Sequence, residues 1–186
     1  MDKKEIRTVM AGQKNKLLPL DICRLSRPAI DNILNLPEFI SASSMYIYME
    51  YNQEIITHPI MSKAWEMGKR VAVPKILDKK MNFYYIESFD DVISGYKGIL
   101  EPLNDVIAEE EQALVIMPGL AFDREFNRIG YGGGFYDNFF NTHKGSDYIK
   151  VGLCYDFQVM DHFDKDAHDV PVDIIVTPSA VFRKNS

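Results

Sequence analysis

Four glycines fall within five positions, Gly130, Gly132, Gly133 and Gly134, between Arg128 on one side and Asp137 on the other. Glycine tolerates positive φ and puts no Cβ in the way, so successive backbone N–H groups there can close on an anion. The start of a following helix adds the favourable end of its dipole. The chemistry this suits is the binding of a phosphorylated ligand. Two better-known glycine loops do not match. A Walker A loop needs Gly-Lys followed by Ser or Thr, whereas Phe135 follows the last glycine here, and a dinucleotide fingerprint starting at Gly130 would need its third glycine at Phe135. A glycine-rich hairpin with no ligand is the plainer alternative, and the charged residues on both flanks weigh against it.

Such a loop needs a strand before it and a helix after it. Ala113 to Met117 is an apolar run suited to a buried strand, Pro118 and Gly119 stop it, and Phe135, Tyr136, Phe139 and Phe140 can pack one side of a helix. Residues 3 to 16 read as a helix with Ile6, Val9, Met10 and Leu17 as its apolar positions, leaving Lys3, Arg7 and Lys14 on another face; taken alone, that basic face is a solvated one. Pro19 then breaks the chain, and Asp21 can cap a second helix. Met45 to Glu50 has strand composition, and Thr57, followed by Pro59, can cap a helix that stops at Gly68. Residues 70–76, 81–87, 148–154 and 172–177 supply further strands. This alternation predicts an α/β fold, a single layered domain over residues 1–186 with a largely parallel central sheet flanked by helices. A ligand should bind outside the carboxyl ends of its strands.

At 186 residues and 46% hydrophobic, the chain supports one well-formed core. No run approaches the ~20 apolar residues of a membrane span, and the first ten residues lack the apolar stretch of a signal peptide, so a cytoplasmic protein with no membrane contact is expected. The net charge of −6 argues against nonspecific nucleic-acid binding. Cys23 and Cys154 have no metal-ligand spacing and are expected to be buried thiols. Residues 161–173 are dense in aspartate and histidine, but an EF-hand from Asp164 fails, with Asp169 where glycine is needed and Ile175 where glutamate is needed. Zinc through His162 and His168 remains open beside a merely solvated loop.

The stretch Pro118-Gly119-Leu120-Ala121-Phe122-Asp123, followed by Arg128-Ile129-Gly130-Tyr131-Gly132-Gly133-Gly134-Phe135-Tyr136-Asp137, resembles the signature of the 5-formyltetrahydrofolate cyclo-ligase family, and the likeness runs from Lys3 to Val176. The resemblance implies the fold shared with ribose-5-phosphate isomerase and CoA transferases. It also implies an ATP- and Mg²⁺-dependent closure of 5-formyltetrahydrofolate to 5,10-methenyltetrahydrofolate. Its small-molecule partners would be a reduced folate and ATP, with no protein partner. Carried over residue by residue, it gives Lys3, Lys4, Arg7 and the run Arg128 to Tyr136 (Arg128, Ile129, Gly130, Tyr131, Gly132, Gly133, Gly134, Phe135, Tyr136) to ATP. Met49, Glu54, Tyr131, Gly132, Gly133, Gly134 and Phe135 go to the folate, Arg128 and Tyr131 to catalysis, and Asp137 with Asp173 to Mg²⁺. A non-catalytic nucleotide- or folate-binding module on the same fold is the alternative, and the joint presence of Asp137 and Asp173 ranks it second. Two departures stand out. Phe126 occupies the place of the family's usual glycine before Arg128, which makes Asn127 the expected left-handed residue. Phe135 replaces the first tyrosine of a Tyr-Tyr-Asp ending.

Overall fold

The computed structural model describes residues 1–95 and 98–184. It opens with α1 (Lys3–Lys14), whose first turn is closed by a reciprocal cap: Asp2 accepts from the Glu5 backbone N–H, and Glu5 accepts from that of Asp2. Then come α2 (Pro19–Leu34) and the short α3 (Pro37–Ser41). The chain does break before Pro19, where Leu18 is extended (ψ 158°). Pro19 is the first residue of α2, where its missing N–H is not needed, and Asp21 lies inside that helix, accepting from the Leu18 N–H from its first turn.

β1 (Ser44–Ile47), α4 (His58–Glu66) and β2 (Arg70–Leu77) make the first β-α-β unit, and β2 turns back into β3 (Lys80–Ile86). Gly68, at φ +72°, follows the end of α4 as expected of a helix stop. Thr57 holds the N-cap position, but its hydroxyl donates to the Tyr48 carbonyl (3.0 Å) and to Glu50, so it ties the loop instead of the helix. A small ribbon of β4 (Val92–Ser94) and β5 (Leu100–Pro102) precedes β6 (Gln112–Met117). After β6 the chain forms a hairpin, β7 (Ala121–Asp123) and β8 (Arg128–Ile129), before α5 (Phe135–Thr142). It ends through β9 (Asp147–Leu153), β10 (Val159–Met160), β11 (Ile174–Val176) and β12 (Val181–Arg183).

Among the described residues, seven strands form the main sheet in the order β12-β11-β9-β6-β1-β2-β3. The five inner strands are parallel and the two edges antiparallel, as the alternating pattern predicts. Side chains alternate between its two faces. Met45 and Ile47 of β1 and Leu114 and Ile116 of β6 join Ile33 and Ile60 from α2 and α4. Tyr46 of β1 and Val115 and Met117 of β6 join Phe139 and Phe140 from α5. With helices on both faces, all of β1 and all but the first residue of β6 are buried, which is why these two read as apolar runs. Each fully buried aliphatic side chain contributes roughly 1.5–3 kcal/mol. Tyr46, without exposure, stacks on Phe83 with ring centroids 4.8 Å apart, so that aromatic of β3 belongs to the core. Cys154 is buried and Cys23 is exposed on α2; both are free thiols, so the sequence expectation fails for Cys23. No helix among the described residues is long and apolar enough to cross a membrane.

From β1 the chain proceeds to β2 on one side, and from β6 to β9 and β11 on the other. The order therefore reverses between β1 and β6. A crevice at the carboxyl ends of such a pair is the ordinary ligand position of an open parallel sheet.

Candidate active site

Three elements converge at that crevice. The segment leaving β1 carries Met49 and Glu54, the segment leaving β6 carries the β7–β8 hairpin and the glycines, and α1 lies against the hairpin. Ile6 and Met10 fix α1 there by packing with Leu120, Ala121, Ile129 and Phe163.

The hairpin is organised around a buried charge. Asp123 has no exposure, and its carboxylate accepts from the backbone N–H groups of Glu125 (3.0 Å), Asn127 (2.9 Å) and Phe163 (3.3 Å) and from the Asn127 side chain (3.0 Å). A carboxylate taken out of water needs that many donors. The turn then corrects a sequence expectation: Phe126 itself, at φ +68°, takes the left-handed conformation, and Asn127 does not. The cost of that backbone, about 1–2 kcal/mol, is offset because the Phe126 ring is buried with Phe122 and Val172 on the α5 side of the sheet. Asn127 is needed elsewhere, as a donor to Asp123.

The turn delivers Arg128, whose side chain is 5% exposed. Its guanidinium donates to Asp137 Oδ2 (3.1 Å) and to the Pro118 carbonyl (3.4 Å) and lies over the Tyr136 ring. Arg128 Nε and the Tyr136 hydroxyl are buried without a partner among the described residues. Asp137, in the first turn of α5, also accepts from the Val170 N–H (3.1 Å). Asp173 accepts from the backbone N–H of Lys150 (2.8 Å) and pairs with its ammonium (2.9 Å). The two aspartates share no partner, but the backbone from Val170, bound to Asp137, to Asp173 spans at most about 10 Å.

In the glycine loop, Gly132 (φ +99°) and Gly134 (φ +65°) adopt the positive φ expected of the cluster, and Gly134 is the residue before α5. Arg7 reaches the loop from α1, its Nε donating to the Gly130 carbonyl at 3.0 Å. Lys3 stands at the start of the same helix with its ammonium between Asp166 (2.6 Å) and Asp169 (2.5 Å). Burial opposes its charge, but these two partners outweigh that and raise its pKa. Lys4 is exposed. Asp166, His168 and Asp169 have ligand atoms close enough together to hold a cation, and Lys3 already supplies the positive charge to two of them. His162 lies instead beside Glu125 (3.3 Å).

On the β1 side, Glu54 is 8% exposed and accepts from the Tyr51 N–H (2.8 Å) and from the Tyr131 hydroxyl (2.5 Å). Lys14, 2% exposed, donates to that same hydroxyl at 2.6 Å and lies 3.9 Å from Glu54. Burial raises the Glu54 pKa against the opposing effects of Lys14 and Tyr131, and burial lowers that of Lys14. Tyr131, its pKa raised chiefly by burial, keeps its proton, although the residue as a whole is half exposed. Met49 and Ile129 are buried, 3% and 1% exposed, Met49 in the core with Ile33 and Ile60 and Ile129 against Ile6 and Met10 of α1, and Phe135 is half-buried.

Sequence reasoning placed Lys14 on the solvated face and missed it as a site residue. The signal was present, since Lys14 continues the stripe Ile6, Met10 at a spacing of four. Asp123 was visible in the signature but not its role, because its donors come from as far away as Phe163.

A model of the 5-formyltetrahydrofolate cyclo-ligase family matches residues 1–178. A probable 5-formyltetrahydrofolate cyclo-ligase of Schizosaccharomyces pombe is 27% identical, with 98% of each chain covered. The NMR structure of Aquifex aeolicus 5,10-methenyltetrahydrofolate synthetase superposes with a TM-score of 0.86 at 31% identity, covering 98% of this chain and 93% of that one. A 5,10-methenyltetrahydrofolate synthetase from Mycoplasma pneumoniae, 20% identical with a TM-score of 0.74 over 96% of this chain and 99% of its own, supports the fold alone.

Proposed function

The chain belongs to the 5-formyltetrahydrofolate cyclo-ligase family, and from that premise we propose that it closes 5-formyltetrahydrofolate to 5,10-methenyltetrahydrofolate at the expense of ATP, releasing ADP and phosphate. The observation that carries this reading is the meeting of the Gly130–Gly134 loop with Glu54 and the basic face of α1 at the point where strand order reverses. One wall offers backbone donors and cations for a polyphosphate, and the other a carboxylate for a nitrogen-rich heterocycle.

A formyl oxygen bound to carbon is a poor leaving group. Transfer of the γ-phosphoryl of ATP to that oxygen, with ADP leaving, makes an iminium phosphate. N10 of the folate then attacks the activated carbon, its proton is lost, and the C–O bond breaks to release inorganic phosphate and the conjugated methenyl cation. Phosphoryl transfer of this kind depends on positioning and charge neutralisation, which is what this side-chain set provides. Lys3, Lys4, Arg7 and Arg128 hold the phosphates, the residues from Ile129 to Tyr136 line the ATP, and Tyr131 to Phe135 line the folate as well. Glu54 and Met49 hold the folate head, and Arg128 and Tyr131 flank the transferred group.

Mg²⁺ would be held by Asp137 and Asp173 and would neutralise phosphate charge. The donor set fits, since each carboxylate oxygen carries two lone pairs and Asp137 spends one on each oxygen in the bonds to Arg128 and Val170. For Lys3, release from Asp166 and Asp169 must accompany phosphate binding.

The test follows the near-ultraviolet absorbance of the methenyl cation. Product is expected only with 5-formyltetrahydrofolate, ATP and Mg²⁺ together, one ADP per turnover. A saturated mixture with no absorbance change would overturn the reading in favour of a binding module.

A further inference from the structure

Lys14 is the last residue of α1 and lies one turn beyond Met10 on a stripe that buries Ile6 and Met10. An apolar side chain would complete that stripe without the desolvation penalty a buried ammonium incurs, and replacing buried ionic groups by apolar ones of similar volume is often neutral or stabilising. The lysine's partners are equally specific. Its ammonium donates to the Tyr131 hydroxyl at 2.6 Å, that hydroxyl donates to Glu54 Oε1, and the ammonium lies 3.9 Å from the same carboxylate oxygen and 5.2 Å from the centre of the Tyr131 ring. One cation thus joins three segments: the helix that carries Lys3 and Arg7, the middle of the glycine loop, and the turn after β1. That turn is backbone-strained, with Asn52 and Gln53 both at positive φ immediately before Glu54. A non-glycine pair in that conformation persists only where the surroundings hold it.

Resting on the function proposed above, we infer that Lys14 is a positioning residue for the folate side of the site. Through the Tyr131 hydroxyl it fixes the Glu54 carboxylate, so that the folate head meets a preset acceptor. Lys14 does not itself touch the substrate. Its loss leaves Glu54 buried beside Tyr131 without a counter-charge, free to turn away or to take up a proton, while the phosphate-binding face of α1 is unaffected.

Calorimetric titration of 5-formyltetrahydrofolate without ATP, and of ATP alone, onto the parent, Lys14→Met, Glu54→Gln and the double variant tests this, with thermal melts of each. Lys14→Met should weaken folate binding roughly 10- to 100-fold, the range expected for losing a charge-assisted contact, and ATP binding less than about threefold. In the Glu54→Gln background the same change should add less than about threefold, because the group it positions is already altered. Lys14→Arg should recover most of the affinity. If Lys14→Met does not fold, Tyr131→Phe removes the bridging hydroxyl alone and should lower folate affinity about tenfold. Parental folate affinity in Lys14→Met, or a loss that adds in full to that of Glu54→Gln, overturns the inference. Because the cycle is read in binding, a parent that binds folate but makes no methenyl product refutes the proposed reaction and leaves Lys14's role standing.

Discussion

Replacing Asp137 by asparagine separates two things this carboxylate does. In the structure it is neither a helix cap nor a free ligand, since one oxygen takes Arg128 Nη2 and the other takes the Val170 N–H. The side chains of the pair are 5% and 14% exposed, so the charge of Arg128 is compensated almost wholly from within the protein. Removing one partner of such a pair costs about 3–5 kcal/mol. The low end applies here, because an asparagine amide oxygen can still accept from Arg128 and the Pro118 carbonyl stays in reach of the guanidinium. At 186 residues, 1 kcal/mol moves the midpoint by about 2–4 °C, so Asp137→Asn should melt about 6–12 °C below the parent. A typical stability of about 5–15 kcal/mol leaves the variant folded at 25 °C. Turnover measured there reports the site and not the fold. If Asp137 also holds Mg²⁺, kcat falls severalfold or more and the Mg²⁺ concentration for half-maximal rate rises. Differential scanning calorimetry and Mg²⁺ titrations of the absorbance assay give the two readings independently. A midpoint within about 1 °C of the parent refutes the buried-pair argument, and parental kcat at parental Mg²⁺ demand removes Asp137 from the metal site.

Two further outcomes follow from local geometry. Phe126→Gly relieves the left-handed backbone, worth about 1–2 kcal/mol, but discards a ring whose loss costs about 3–5 kcal/mol. Phe126→Ala discards the ring without relieving the backbone, so urea melts should rank the parent above the glycine variant and the glycine variant above alanine by about 1 kcal/mol; an alanine variant equal to or better than glycine contradicts the strain argument. At the mouth of α4, the hydrogen bond that His58 donates to Glu50 raises the pKa of His58 above its ordinary 6.5, and burial opposes the charge on Glu50 but the bonds it accepts from His58 and Thr57 outweigh that and lower its pKa below 4.5. The His58 contribution is full below pH 6.5 and lost as pH rises through its raised folded value, while that of Glu50 is present above pH 4.5 and lost as pH falls through its lowered one. The melting temperature advantage of the parent over His58→Gln should therefore be largest near pH 5.5 and shrink by pH 8.5, and an advantage constant across that range sinks the linkage.

The inner strands and the glycine loop were legible because each is specified locally. β6 lies between helices on both faces, so all but its first residue are buried and it announces itself as a run. The loop announces itself because the positive φ of Gly132 and Gly134 falls where side chains are missing. The β7–β8 hairpin did not, since its strands have three residues and two, too short for a period. What holds it is the Asp123 carboxylate, and a buried carboxylate is spelled like a solvated one. The left-handed residue was misassigned for a related reason. Propensity favours asparagine over phenylalanine at positive φ, but propensity weighs about a kilocalorie per mole, and the burial of the Phe126 ring weighs more.

Lys14 marks the boundary between what position and what residue type can tell. Tyr131 lies 117 positions from it and Glu54 lies 77 positions from Tyr131, so no spacing rule connects the three. Yet the register of α1 was available. Residues four apart on a helix share a face, and the two members of the stripe that precede Lys14 are 1% and 5% exposed. A lysine is assigned to solvent by habit, and Lys3 and Arg7 encouraged that, because position 14 also falls within about 40° of them around the helix axis. The two assignments differ in what they require. A solvated Lys14 requires α1 to tip its last turn away from the hairpin, which would uncover Met10. A buried one requires an anion and a hydroxyl to arrive from elsewhere in the chain. Uncovering Met10 forfeits apolar burial on the order of 1.5–3 kcal/mol, whereas a paired lysine keeps that contact and gains a charge-assisted bond to Tyr131. The apolar stripe therefore decides where α1 lies, and the lysine at its end determines which polar groups must meet it.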